Sequence, residues 1–105
     1  MPKNRHPQTA AHIQDLEGSV TETHHWDRAW SDINREGSLE GYPTIPGLDR
    51  DEWPTAATQE GGPGAEIRYI DPSDNRGAGK FVSLQLAHLE RGAPFRIEII
   101  DEWLF

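Results

Sequence analysis

Apolar residues in this chain recur in short bursts with two different periods, and the bursts predict its elements. Residues 66–70 run Glu-Ile-Arg-Tyr-Ile, and residues 95–100 run Phe-Arg-Ile-Glu-Ile-Ile. Such alternation describes strands with one buried face, and the second is the clearest strand in the chain. Between them, Ala78, Val82, Leu86 and Leu89 recur at four- and three-residue intervals, predicting a helix over 77–89. Gln85 lies at the margin of that stripe, seven residues after Ala78. Asp71-Pro72-Ser73-Asp74 turns the chain into the helix, with Ser73 or Asp74 as cap, and Gly92 and Pro94 close it.

Upstream, the pattern is weaker. Residues 7–17 form a short helix, opened by Pro7, with Ile13 and Leu16 on one face and Gly18 as its stop. Residues 19–25 carry Val20, Thr21 and Thr23 in a mostly polar stretch, which describes an edge strand. Trp26, Trp30 and Ile33, spaced four and three apart, predict a helix over 26–39 that packs its indoles on the core. Residues 40–47, with Gly41, Pro43, Pro46 and Gly47, make an irregular connector that Tyr42 and Ile45 can anchor.

Length allows one domain with a modest core: 105 residues, of which 34% are apolar and 27% charged. Ten glycines and eight prolines favour a loop-rich α+β domain over an idealised bundle. Residues 1–6 are polar and are expected to be flexible, leaving 7–105 as the folded unit. The absence of cysteine excludes disulfides and Cys-ligated zinc. No apolar run is long enough to cross a membrane and no signal-peptide core is present, so export would depend on another route. The net charge of -8 has the wrong sign for broad counterion release on nucleic acid. It leaves room for a local cationic path to one phosphate, and an acidic surface suits a basic protein partner.

Chemistry concentrates in residues 47–85. There an acidic-aromatic block, Asp49-Arg50-Asp51-Glu52-Trp53-Pro54, is followed by Glu60-Gly61-Gly62-Pro63-Gly64 and then Asp74-Asn75-Arg76-Gly77-Ala78-Gly79. Carboxylate and amide oxygens suit a hard cation, and the arginines suit a phosphodiester. Each residue also has a plainer reading. Asp51 could cap a turn or pair with Arg50, Asn75 could simply start a helix, and Glu60 could anchor the glycine turn. Arg50, Arg68, Arg76 and Lys80 are the cations for phosphate, Arg76 foremost because a helix start favours anions. For Lys80 a solvated surface charge is the simpler reading. His24 and His25 point to opposite faces of a strand and do not form one chelating pair.

These motifs, together with Pro43-Thr44-Ile45-Pro46-Gly47-Leu48 and Arg68-Tyr69-Ile70-Asp71-Pro72-Ser73, resemble the NucA/NucB deoxyribonuclease family. In layout the resemblance extends from Pro7, through Trp26-Asp27-Arg28 and Asn34-Arg35, to Ile100. It implies a small ββα-metal nuclease core with flanking helices, in which a base on the first strand and ligands on the following helix meet at one phosphate. An Asp of the acidic block then holds the place that His occupies in many ββα-metal nucleases. Asp51 takes that role, with Asp49 as the alternative and Glu52 beside them. Asn75 matches the metal-site asparagine, and Gln85 and Glu60 are further metal candidates.

The expected activity is hydrolysis of DNA by a monomeric endonuclease using one Mg²⁺ or Mn²⁺, with little sequence preference. The compact size and missing export signal fit the toxin module of a secreted bacterial protein, which would be met by an immunity or inhibitor protein. The rival is a catalytically inactive module that uses its acidic surface to bind a protein.

Overall fold

The alternating stretch 66–70 does form a strand, and it pairs with the acidic block that precedes it. In the computed structural model, which describes residues 1–102, β2 (Asp49–Trp53) runs antiparallel to β3 (Glu66–Ile70), with Asp49 opposite Ile70 and Trp53 opposite Glu66. Side chains alternate along a strand, so Asp49, Asp51 and Trp53 share one face of the hairpin while Arg50 and Glu52 occupy the other. The first face meets α1 (Pro7–Glu17) and α3 (Pro72–Leu86). There Asp51 reaches His12, the Trp53 indole donates to Glu17, and Asp49 meets Asn75. The second face looks to α2 (Ser31–Leu39) and the connector, where Ser38 donates to Glu52 and Arg50 to the Tyr42 carbonyl. A second small sheet pairs β1 (His24–Trp26) with β4 (Ala93–Phe95), also antiparallel. The hairpin followed by α3 is the ββα unit of an α+β domain.

Helix α3 begins five residues before the apolar periodicity predicts, because Asp71, rather than Ser73 or Asp74, is its cap. The Asp71 carboxylate accepts the Ser73 amide at 2.9 Å and its hydroxyl at 2.6 Å. Pro72 takes the first helical position, where no amide donor is needed. Asp74 is buried and serves the other helix: it accepts the amides of Gln8 (2.8 Å) and Thr9 (3.0 Å) and the Thr9 hydroxyl (2.7 Å). A carboxylate on α3 thus satisfies the open amides at the start of α1 and locks the two helices together.

The core gathers Ala10 and Ile13 from α1, Trp53 from β2, Ala78 from α3, and Ile97 and Ile99 from the last extended segment. Residues 1–6 depart from expectation, since Met1 belongs to this core and Pro2 bridges Ile100. With so few large apolar residues, an open flank of the Ile97–Ile99 face is covered by whatever apolar side chain reaches it. The alternation over 95–100 correctly places Ile97 and Ile99 inward, but the ladder is β4 plus isolated bridges at Glu98 and Ile100. Of the expected strand over 19–25, only His24 and His25 lie in β1, which runs on to Trp26, and Val20 contributes a single bridge to Glu98.

The expected helix over 26–39 is divided. Trp26 ends β1, Asp27 accepts the Ala29 amide to start a 3-10 turn over Arg28–Trp30, and α2 follows. The inner face of α2 is polar: Asn34 and Ser38 are buried, whereas Trp30 and Ile33 are 43% and 65% exposed. Asn34 faces inward because its Nδ2 donates to the carbonyls of Ala56 (3.0 Å) and Thr58 (2.8 Å), holding the 54–65 loop. Gly62 is required beneath it, with φ of +105° and space that any Cβ would contest with Asn34 Oδ1 at 2.9 Å.

Candidate active site and its relatives

Beside the ββα unit lies a cleft of about 520 Å³, lined by Asp49, Arg50, Asp51, Glu52, Asn75 and Arg76. The acidic block and the start of α3, twenty-odd residues apart in sequence, therefore face one space. Arg76 grips Asp49 with two bonds, Nε to Oδ2 at 3.0 Å and Nη2 to Oδ1 at 3.1 Å, while Asn75 Nδ2 donates to Asp49 Oδ2 at 3.0 Å. Asp51 makes a different connection: among the described residues the one hydrogen-bond partner of its carboxylate is His12, whose Nδ1 lies 2.7 Å from Oδ2. Glu52 also lines the cleft, but it pairs with Ser38 and, at 3.6 Å, with Arg35 on the α2 side. The two carboxylates adjacent in sequence therefore have separate surroundings.

Two further arginines, Arg28 and Arg35, line the cleft. Neither was singled out as a phosphate contact, although both belong to short motifs within the wider resemblance. Four arginines and three carboxylates line this space, so it is locally cationic in a chain of net charge -8. The Arg28 guanidinium has no hydrogen-bond or ion-pair partner among the described residues, whereas those of Arg76, Arg50 and Arg35 are all engaged.

Other predicted site residues are not brought here. Gln85 lines a separate cavity with Phe81, Leu86 and Ile97, because ten residues beyond Asn75 a helix has turned it to another side. Glu60 is tied to His25, accepting the backbone amide at 2.6 Å and lying 2.7 Å from Nδ1. Arg68 pairs with Asp15 at 3.0 Å, and Lys80 is exposed outside the cleft lining.

The electrostatics divide the two aspartates. Hydrogen bonds from Arg76 first and Asn75 second hold the Asp49 carboxyl below the usual carboxylate range, and the same pairing raises Arg76. An aspartate so tied is a poor proton acceptor. Asp71 is lowered as well, through the Ser73 hydroxyl and then its amide. A carboxyl lowered in the folded state contributes stability that is fully present above its unfolded value, about 3.9, and is lost as pH falls through the folded one. The unfolding temperature should therefore hold from neutral pH to about 5 and decline below about 4. Asp49→Asn should make that decline shallower, a comparison read from circular-dichroism melts across pH. An unchanged slope would show that the Asp49 pairings do not contribute.

The donors facing the cleft are compatible with a hard cation. Because Asn75 gives its Nδ2 to Asp49, its Oδ1 is the acceptor end of the amide, and carboxylate oxygens lie alongside. Among the described residues no three His, Asp or Glu side chains form a chelating cluster. The set suits Mg²⁺, which keeps several waters and takes few protein ligands.

Comparison with known proteins supplies the family. The chain is 45% identical over 92 residues to the DNA-entry nuclease of Bacillus subtilis (strain 168), an alignment covering 87% of this chain and 63% of that relative. The chain thus spans somewhat under two thirds of the relative's length. The family model for deoxyribonuclease NucA/NucB matches residues 18–98, taking in the hairpin, the acidic block and α3. With the acidic block and the Asn75-Arg76 helix start lining one cleft inside the matched region, the chain belongs to the deoxyribonuclease NucA/NucB family.

Proposed function

We propose that this domain is a divalent-metal-dependent endonuclease that hydrolyses DNA with little sequence preference. The observation that carries the proposal is the convergence of Asp51, Asn75 and Arg76 on one locally cationic cleft. Family membership and the relative's name as a DNA-entry nuclease support the substrate class. Arginines directed at phosphate bind DNA without reading bases, which accounts for the proposed lack of sequence preference.

In the proposed reaction, Asp51 accepts a proton from water as the water oxygen bonds to phosphorus and one P–O ester bond breaks, the departing sugar oxygen taking a proton from solvent and leaving as a hydroxyl. Arg76, with the unpaired Arg28 nearby on the cleft wall, holds the phosphate oxygens. Asn75 Oδ1 would hold Mg²⁺ or Mn²⁺, and the ion when bound would supply charge neutralisation at the phosphate. Asp49 keeps Arg76 and Asn75 in place. Glu60 and Gln85, away from the cleft, have no part in this arrangement.

Nicking of supercoiled plasmid by the purified protein tests the activity against the inactive binding module, which would leave the plasmid intact. Within an active protein, Arg76→Ala should lower cleavage by about tenfold or more, the worth of a charge-assisted hydrogen bond of roughly 1.5–3 kcal/mol. Lys80→Ala should have little effect. Comparable losses from the two would place the phosphate elsewhere.

A further inference from the structure

A histidine that the motifs did not single out stands directly behind the proposed base. His12 is on α1, before the residues matched by the family model, and its side chain is fully buried. Its Nδ1 lies 2.7 Å from Asp51 Oδ2. An ionised carboxylate can only accept, so Nδ1 must carry the hydrogen. On the other side of the ring, Nε2 lies 3.5 Å from Glu66 Oε1 and has no hydrogen-bond partner among the described residues.

The surroundings make this imidazole a fixed support. Asp74 caps the first turn of α1, and Ala10 and Ile13, on either side of His12, are in the core. Arg68, opposite Asp51 in the hairpin, is drawn to Asp15 at 3.0 Å and Glu66 at 3.8 Å. Among the described residues, this leaves the imidazole as the group that fixes Asp51.

We propose that His12 is the positioning residue for Asp51: its Nδ1–H holds Oδ2 and thereby presents Oδ1 to the water in the cleft. This rests on the assignment of Asp51 as base. An aspartate carboxyl otherwise turns easily about its last torsion, which is broad and nearly two-fold. Anchoring one oxygen removes that freedom before the substrate arrives. Being fully buried, His12 meets neither DNA nor water and acts only through Asp51. The usual order of a catalytic pair is reversed, with an imidazole orienting a carboxylate base.

The test compares His12→Leu, which removes the donor, with His12→Asn, whose amide Nδ2 can take the place of Nδ1. Both are made in the wild-type and Asp51→Asn backgrounds, with kcat and KM measured on DNA and folding checked by thermal melts. In the wild-type background His12→Leu should lower kcat on the order of 10- to 100-fold with KM changed less than about threefold. His12→Asn should recover most of the loss. In the Asp51→Asn background, followed at raised enzyme concentration, His12→Leu should change the residual rate by less than about twofold, because the group it supports is already gone. Should the leucine variant not fold, His12→Gln, with its donor displaced along the side chain, replaces it in the same comparison. Wild-type kcat without the donor, equal damage from the asparagine variant, or an undiminished loss in the Asp51→Asn background each overturns the proposal. A wild-type protein that cleaves, but is indifferent to Asp51→Asn, instead overturns the assignment of the base.

Discussion

Asp51→Asn should cut DNA cleavage by about 10² or more while the fold survives. Asparagine keeps the shape and one acceptor oxygen, so the bond from His12 can persist, but it cannot take a proton from water. The neighbouring Asp49→Asn supplies the contrast. Asp49 already accepts from Arg76 and Asn75, so its replacement loosens substrate holding more than proton transfer. The expected signature is a raised KM with a kcat loss of about tenfold, against a nearly pure kcat loss at Asp51. Both substitutions remove one negative charge from the same cleft, so a general electrostatic effect on cation binding would strike them alike. A kcat that depends on Asp49 and not on Asp51 would move the base two residues upstream. Melting curves of both variants exclude lost folding as the cause.

Removal of divalent cations should abolish cleavage, and Mg²⁺ or Mn²⁺ should restore it. The stabilisation lost would be several kcal/mol, or about 10³-fold or more in rate. The protein's own cations cannot readily replace the ion. Arg76 shares its charge with Asp49 and has only its remaining N–H groups for phosphate, Arg50 is tied to the Tyr42 carbonyl, and Arg35 to the α2 side of Glu52. Arg28 is the remaining cleft arginine, and one guanidinium can hold phosphate oxygens but does not match the charge density of a divalent ion. The experiment is cleavage in excess EDTA followed by titration with Mg²⁺, Mn²⁺ or Ca²⁺. Activity undiminished by the chelator would remove the cation from the mechanism and leave the arginines to carry the phosphate alone.

The sequence by itself determined the local elements wherever one face had to be apolar. The strand of 66–70 and the stripe through Ala78 and Val82 were legible because apolar residues recur there with the period of the backbone. The motif residues Asp51, Asn75 and Arg76 were legible as chemistry for the same local reason, a dense run of oxygen donors and guanidinium groups. What it did not determine was which neighbour each polar side chain would meet. Trp30 and Ile33 have helical spacing yet face outward, because the position inside α2 belongs to Asn34 and the loop carbonyls it satisfies. Asp74 was legible as a helix cap, but the helix that it caps starts 67 residues earlier. Glu60 left the site for His25, and Gln85 was carried round α3 to another cavity. His12 had no motif at all, and only the docking of α1 against β2 put it 2.7 Å from Asp51. Alternation along β2 decides which residues share a face; packing of distant helices decides what covers that face, and so which aspartate meets Arg76 and Asn75 and which meets His12.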